Sequence, residues 1–354
     1  GGLNSTTPSA FLQNPFPGPP VASNTPLGCN QCNNIQPSST RQPYVEEWSF
    51  SVQRQLTPTL LGEADYFGAH GVKLDGQIID NIATDPSPLG SFKSRQRWPQ
   101  FPPYIMNGYK EFMSWYDGLS LKLDKHYSKN LAFLVSYTWS KAMDQSDSLG
   151  SGGDYGLPDY NPTRFNMSDF KAPAGFNVTN IFSASYIYGL PWKTGRRWAD
   201  AALANWEFSG IVSADSGIPY YILLSTDNEN IGVVPGRISE FPNLVCNPSS
   251  NLQPSAAEWF NTACYQLPAF GTAGNAGRHA LYSDPLVNWD AALAKRWPFG
   301  RENRSVEFRA EFFNFLNGST FDPPGVQFGP KLGTVSTTAR QPGREIQFAL
   351  KLHF

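Results

Sequence analysis

No stretch of this 354-residue chain approaches the roughly 20 consecutive apolar residues that a membrane-spanning helix needs, so a helical membrane protein is excluded. Charge is scarce and balanced: Lys and Arg number 27, Asp and Glu 29, and the formal net charge is −2. Such a surface has nothing basic with which to hold nucleic acid or an acidic membrane. Histidine occurs at only four positions, 70, 126, 279 and 353, without metal-ligand spacing. No GxSxG, HExxH, P-loop or GxGxxG is present. No enzymatic activity, catalytic residue, cofactor or metal is therefore expected. Only four cysteines occur, Cys29 and Cys32 in a CxxC and Cys246 and Cys264 18 positions apart. A redox reading of the CxxC lacks its βαβ context and a zinc reading lacks two further ligands. Loop disulfides Cys29–Cys32 and Cys246–Cys264, as in an exported protein, are the expectation, with free thiols the alternative.

What the chain does have is 31 Gly, 30 Pro, 10 Trp, 15 Tyr and 25 Phe, a composition of strands and turns. Its length exceeds what one soluble core usually fills, leaving two domains or a barrel whose outside is solvated by lipid. A mean hydropathy of −0.37 suits the barrel, because its strands need apolar residues only at alternate positions. The last eleven residues, REIQFALKLHF, have that pattern. Ile346, Phe348, Leu350, Leu352 and Phe354 share one face; Glu345, Gln347, Lys351 and His353 lie on the other. The same period of two recurs at Trp48–Phe50–Val52, Leu119–Leu121–Leu123, Leu131–Phe133–Val135–Tyr137–Trp139 and Phe182–Ala184–Tyr186–Tyr188. It returns at Trp206–Phe208–Gly210–Val212, Val287–Trp289–Ala291–Leu293 and Val306–Phe308–Ala310–Phe312, and more weakly over 60–66. About nine strands result, most of them long enough for the roughly 9 to 11 residues of a tilted crossing.

The connections alternate in length. Short links are expected at LTPT (56–59), YSKN (127–130) and PFGREN (298–303), and a medium one at 190–205. Long links rich in Pro, Gly and Asn are expected at about 70–112, 143–174, 217–284 and 317–342. Outer-membrane barrels have this layout, short turns in the periplasm and long loops outside. The expected organisation is thus an extracellular loop segment over 1–43 and an antiparallel transmembrane β-barrel portion over 44–354. Barrels of one chain have even strand numbers, and an open edge in lipid leaves backbone groups unsatisfied. Further strands before Gly1 are accordingly expected, pairing with both the 44–55 strand and the C-terminal one.

The polar faces carry Glu63, Asp65, Lys122, Asp124, Glu307, Arg309 and Glu311. These either line a substrate path or form ion-pair ladders that solvate the lumen; ladders are the simpler reading. Asp144, Asp147 and Asp154 either hold a calcium ion or are solvated loop acids, and the absence of a known liganding pattern favours the latter. Trp48, Tyr66, Tyr137, Trp139, Tyr186, Tyr188, Trp206, Trp289 and Trp297 are expected as girdle residues at headgroup level. Loop aromatics such as Trp259 and Tyr265 either pack the loops or stack on a ligand such as a sugar.

Several blocks also resemble a known family. WSFSVQRQLTPTLLGEADYFGAHGVKL (48–74), YDGLSLKLDKHYSKNLAFLVSYTWSKAMD (116–144), FNVTNIFSASYIYGLPW (176–192), WEFSGIVSADSGIPY (206–220), FRAEFFNFLN (308–317) and REIQFALKLHF are similar to the C-terminal barrel half of Oar-like TonB-dependent receptors, of the kind abundant in Acidobacteria. The resemblance implies a carboxypeptidase-regulatory-like domain and a plug upstream, a barrel of about 22 strands, and nutrient uptake powered by the TonB system. It also implies that the terminal strand, with Phe348, Leu350, Leu352 and above all Phe354, is the signal read by the barrel-assembly machinery. A structural or adhesive outer-membrane barrel is the alternative. A soluble secreted β-sandwich or propeller is a third, disfavoured by the link alternation and the terminal Phe.

Overall fold

The computed structural model describes residues 32–33, 42–79, 81–99, 101, 105–146, 170–232, 240–250, 254–278, 280–299, 304–335 and 341–354. Nine strands form one antiparallel wall: β1 (Tyr44–Thr57), β2 (Leu60–Ile79), β3 (Ile105–Ser128), β4 (Leu131–Asp144), β5 (Asn180–Gly189), β6 (Trp206–Asp215), β7 (Leu286–Pro298), β8 (Ser305–Phe313) and β9 (Glu345–His353). Each pairs with its neighbours in sequence, so the chain meanders up and down without a crossover. Two short segments join the margins: Cys32–Asn33 pairs in parallel with Ile105–Met106, and Ala172–Pro173 pairs with Met143–Asp144. Among the described residues no helix is long and apolar enough to cross a membrane, which says nothing about crossing by strands.

The period of two becomes two chemically opposite faces. Gln53, Glu63, Lys122, Ser136, Ser183, Ser213 and Asn288 stand in one row across seven strands. In the adjacent row, on the other face, stand Val52, Ala64, Leu121, Tyr137, Phe182, Ala214 and Val287. Successive side chains of a strand point to opposite sides, so one polar row implies an apolar neighbour. Among the described residues no protein layer covers the middle of the apolar face. Phe50, Leu121, Phe348 and Leu350 are exposed there, Leu350 to 73%. A Cβ added to Gly68 would collide with the Trp48 indole, so the glycine admits that ring across the ladder.

Short and long links fall on opposite rims. β3 and β4 are joined by two residues, Lys129 and Asn130, whose φ values of 50° and 62° are those of a type I′ hairpin turn. The link between β5 and β6 departs from expectation in containing a helix, α1 (Arg197–Leu203). The loop expected over 70–112 is also much shorter. β2 and β3 remain paired as far as Ile79 and Met106, reaching 20 and 24 residues with a shift of register near Lys73. Beyond one membrane thickness no lipid imposes alternation, so Gly71–Ile79 reads as loop although its backbone stays in the ladder.

The buried core lies at the long-link rim, in a cap built mainly from 217–284 and 320–335. Tyr220, Ile222, Phe260, Tyr265, Leu281, Val326 and Leu332 form one cluster; Phe170, Ala172, Tyr221, Leu223 and Phe241 form a second beside it. Two-residue ladders tie the cap internally, Pro219–Tyr220 with Leu281–Tyr282 and Asn243–Leu244 with Tyr265–Gln266.

Candidate functional site

The polar face of the wall gathers the expected charges into two groups. On β1 to β3, Lys122 Nζ lies 3.6 Å from Glu63 Oε2, and Gln53 Nε2 donates to the same oxygen at 3.4 Å. Asp65 stands between Ser51 and Ser120 in the next row, and Asp124 between Leu61 and Leu134. On β7 to β9, Arg296 donates to Glu307 at 2.8 Å, His353 approaches it at 3.4 Å, and Arg309 donates to Glu311 at 2.6 Å. Serines and a threonine on β4 to β6 separate the two groups, so five of the seven expected residues make ion pairs in two separate places, while Asp65 and Asp124 have uncharged neighbours in register. Such pairs neutralise charge on a polar wall. An open cavity of about 750 Å³ adjoins the second group at the short-link rim, lined among others by Trp192, Lys193, Glu207, Arg296, Glu307 and Arg309.

The expected girdle aromatics share the apolar face, and three of them donate hydrogen bonds there. Tyr66 donates to Asp117 at 2.7 Å, Tyr137 to Asn180 at 2.7 Å, and the Trp289 indole to Tyr186 at 3.1 Å. Partnered polar tips on apolar rings suit headgroup level.

The cap's chemistry departs from the sequence reading in one instructive place. Asp144 is neither a solvated loop acid nor free for calcium: Arg278 Nη1 donates to it at 2.9 Å, with Arg278 fully buried. The same guanidinium donates to Phe170 O at 2.7 Å and lies over the Tyr221 ring. A cation 134 positions away in sequence is invisible to a search along the chain. Asp147 and Asp154 lie outside the described residues.

Nearby, Glu240 Oε2 accepts from the backbone N–H groups of Asn228 and Glu229 at 2.8 and 3.1 Å. Burial, with Glu229 and Asp227 close by, pushes the Glu240 carboxyl up to about 9, and burial pushes Glu229 up to about 7. Asp227 accepts from the N–H groups of Ile231 and Gly232, both at 2.8 Å. Among the described residues no group of three His, Cys, Asp or Glu side chains has the geometry of a metal site. Tyr265 packs edge-on against Phe260, and Trp259 edge-on against Phe321, so these two of the expected loop aromatics serve the cap's own packing.

Cys246 and Cys264 form the expected disulfide, with Cα atoms 4.9 Å apart and Cys264 buried. Cys29 and the Cys32 side chain lie outside the described residues. On β9, Phe348, Leu350 and Leu352 all point to the apolar side, and Phe354 is 89% exposed at the strand's end.

A meandering antiparallel wall with a hydrated ionic face, an uncovered apolar face and aromatic edges is the wall of an outer-membrane β-barrel. The chain belongs to the outer membrane beta barrel domain family, whose sequence model matches residues 2–347. Solved structures of similar fold include the outer membrane transporter YddB from Escherichia coli, 11% identical with a TM-score of 0.46, the match covering 91% of this chain and 34% of that one. The pyoverdine outer membrane receptor FpvA from Pseudomonas aeruginosa is 9% identical with a TM-score of 0.40, covering 88% and 30%. The FrpB iron transporter from Neisseria meningitidis is 12% identical with a TM-score of 0.37, covering 90% and 32%. The chain thus spans about a third of the length of these structures. No curated protein matches the sequence.

Proposed function

We propose that the chain is the C-terminal barrel portion of an Oar-like TonB-dependent transporter, with the cap facing outside and the short links in the periplasm. The observation that carries this reading is the combination of an ionic, hydrated inner wall with a separately cored cap at the long-link rim. The first solvates a passage and the second offers a surface for capturing a nutrient. The ordered blocks that resemble the family support the same reading and bring with them an upstream plug, which couples to TonB. The unpaired edges of β1 and β9 pair with further strands of the same barrel, because unsatisfied backbone groups in hydrocarbon cost several kcal/mol each.

TonB dependence tests it. Disrupting the cell's TonB gene and disrupting the gene for this protein should abolish uptake of the same nutrient. A complete reading frame without a plug or a TonB-contacting segment would remove the transport reading. An adhesive barrel is the second reading, favoured by the disulfide-braced, self-packed cap; it expects cell-surface binding that survives TonB loss. In either case β9 directs assembly through Phe348, Leu350, Leu352 and Phe354. Deleting Phe354 should lower the amount of folded protein in the outer membrane more than His353→Ala does, and equal yields would oppose this role.

A further inference from the structure

A lysine stands on the apolar face of the wall and yet meets no lipid. Lys295 on β7 shares that face with Leu293 and Trp297, and lies opposite Trp206 and Phe308 in the ladder. It is 2% exposed. Its ammonium donates to Ala204 O at 2.5 Å and lies 5.3 and 5.2 Å from the Trp206 and Trp297 rings. The cover over it is α1. The Trp297 indole donates to Ala201 O and the Trp206 indole to Ala202 O, each at 2.9 Å. The last carbonyls of a helix have no partner within it, and its C-terminus is its negative end. Here a cation and two indoles from the wall take those carbonyls. Ala199 and Ala204 are buried, so the small side chains let the helix sit close to the strands. α1 is therefore clamped to the outside of the barrel at the short-link rim.

What the clamp leaves outward is chemically mixed. Trp198 is 74% exposed and Leu203 is exposed, and Arg196 is exposed at the start of the helix, while Trp192 and Lys193 turn to the cavity beside Glu207 and Glu307. The neighbouring acid, Asp200, is occupied by Thr194 and Gly195, whose N–H groups and hydroxyl it accepts at 2.6 to 3.1 Å. Its carboxyl is held below its ordinary range by the Thr194 bonds. An exposed indole beside an exposed guanidinium suits the layer between hydrocarbon and water, where rings sit among headgroups and basic groups meet phosphates. The patch is also continuous with the lipid-facing wall.

We propose that residues 196–203 form an interfacial anchor lying in the phospholipid leaflet at the short-link rim, where Arg196 binds the headgroup of an anionic glycerophospholipid. Lys295 is its positioning residue. The proposal rests on the outer-membrane placement of the wall and is independent of transport; its leaflet follows the periplasmic assignment of the short links.

The test uses the full-length protein in nanodiscs of phosphatidylethanolamine with and without phosphatidylglycerol. A nitroxide placed by Trp198→Cys should collide more with oxygen than with a water-soluble nickel complex, giving headgroup depth. Lys295→Met should release that label into water while the wall keeps its folded, compact mobility on an unheated gel. Arg196→Gln should keep the label's depth but lower phosphatidylglycerol retention in native mass spectrometry roughly fivefold, the contribution of one surface cation. A label at 198 as water-accessible as one at Leu89 would overturn the anchor. Unchanged phosphatidylglycerol retention in Arg196→Gln would overturn the headgroup site, and this holds even if Lys295→Met does not fold. Labelling of position 198 from outside intact cells would overturn the leaflet, while loss of nutrient uptake alone bears only on transport.

Discussion

The wall and the cap use the same aromatic and aliphatic residues for opposite ends. In the wall, Phe50, Leu121, Phe348 and Leu350 face outward and uncovered, and the strands are held by their ladders. In the cap, Tyr220, Phe260, Tyr265 and Leu281 are buried against one another. The difference follows from the solvent. Lipid tails are as apolar as leucine, so the wall gains little by covering its outer face, and its stability comes from satisfying every backbone group. The cap meets water, so it is stabilised by burial, as any globular domain is. Its disulfide and its fully buried Arg278 reinforce this water-facing half.

That contrast can be broken most severely by alkali. Glu240 and Glu229 have folded-state values of about 9 and about 7, both raised by burial above an unfolded value of 4.5. Between 4.5 and those values the folded cap holds protons that the unfolded chain has lost, so stability falls as pH rises. Hydrogen-exchange protection, taken relative to the base-catalysed intrinsic rate, should fall in 218–232 and 240–278 from pH 5 to pH 9 while that of β4 to β6 holds. Glu240→Gln should flatten the change, and an equal fall in the wall would show that the two regions open together.

Next comes Arg278→Ala, which removes the buried ion pair with Asp144 and should cost about 3 to 5 kcal/mol. Limited proteolysis of intact cells should then nick the cap while the barrel remains heat-resistant. Comparable in size, but sharper as a comparison, is a matched pair of truncations. Phe260→Ala should cost about 3 to 5 kcal/mol in cap unfolding. Phe348→Ala should cost much less in denaturant unfolding of the wall, since lipid fills the space; similar losses would deny the difference of solvent. Among the cap substitutions the smallest effect is expected from Cys246→Ser, about 3 kcal/mol by loop-closure entropy, read as a lower cap midpoint with wall unfolding unchanged.

Much of the wall was legible because lipid and lumen impose a period of two on every crossing. β4 and β9 begin within a residue of where alternation begins, and β8 carries the expected Val306 to Phe312 run. The upper half of the β2–β3 hairpin was not legible, because outside the membrane its ladder tolerates Gly76, over which the Phe112 ring lies, and Asp75 without alternation. The cap core escaped because its apolar residues come from separate short stretches brought together by two-residue ladders, which leave no periodic trace. Of the candidate residues, the charged ones were placed on the correct face, but their division into two groups depends on neighbours in register. Lys295 was missed although its position is plain: it breaks the apolar stripe after Leu293, and only α1 shows why the break is tolerated.

By itself, then, the sequence determined which face of each strand meets lipid and which meets water, since strand geometry makes alternation the only way to serve both. Tertiary structure alone decided which carboxylate Arg278 neutralises, how the loops acquire a core, and how a lysine on the lipid side is satisfied. These depend on pairings between residues distant in sequence, and such pairings are set by register and by folding in three dimensions.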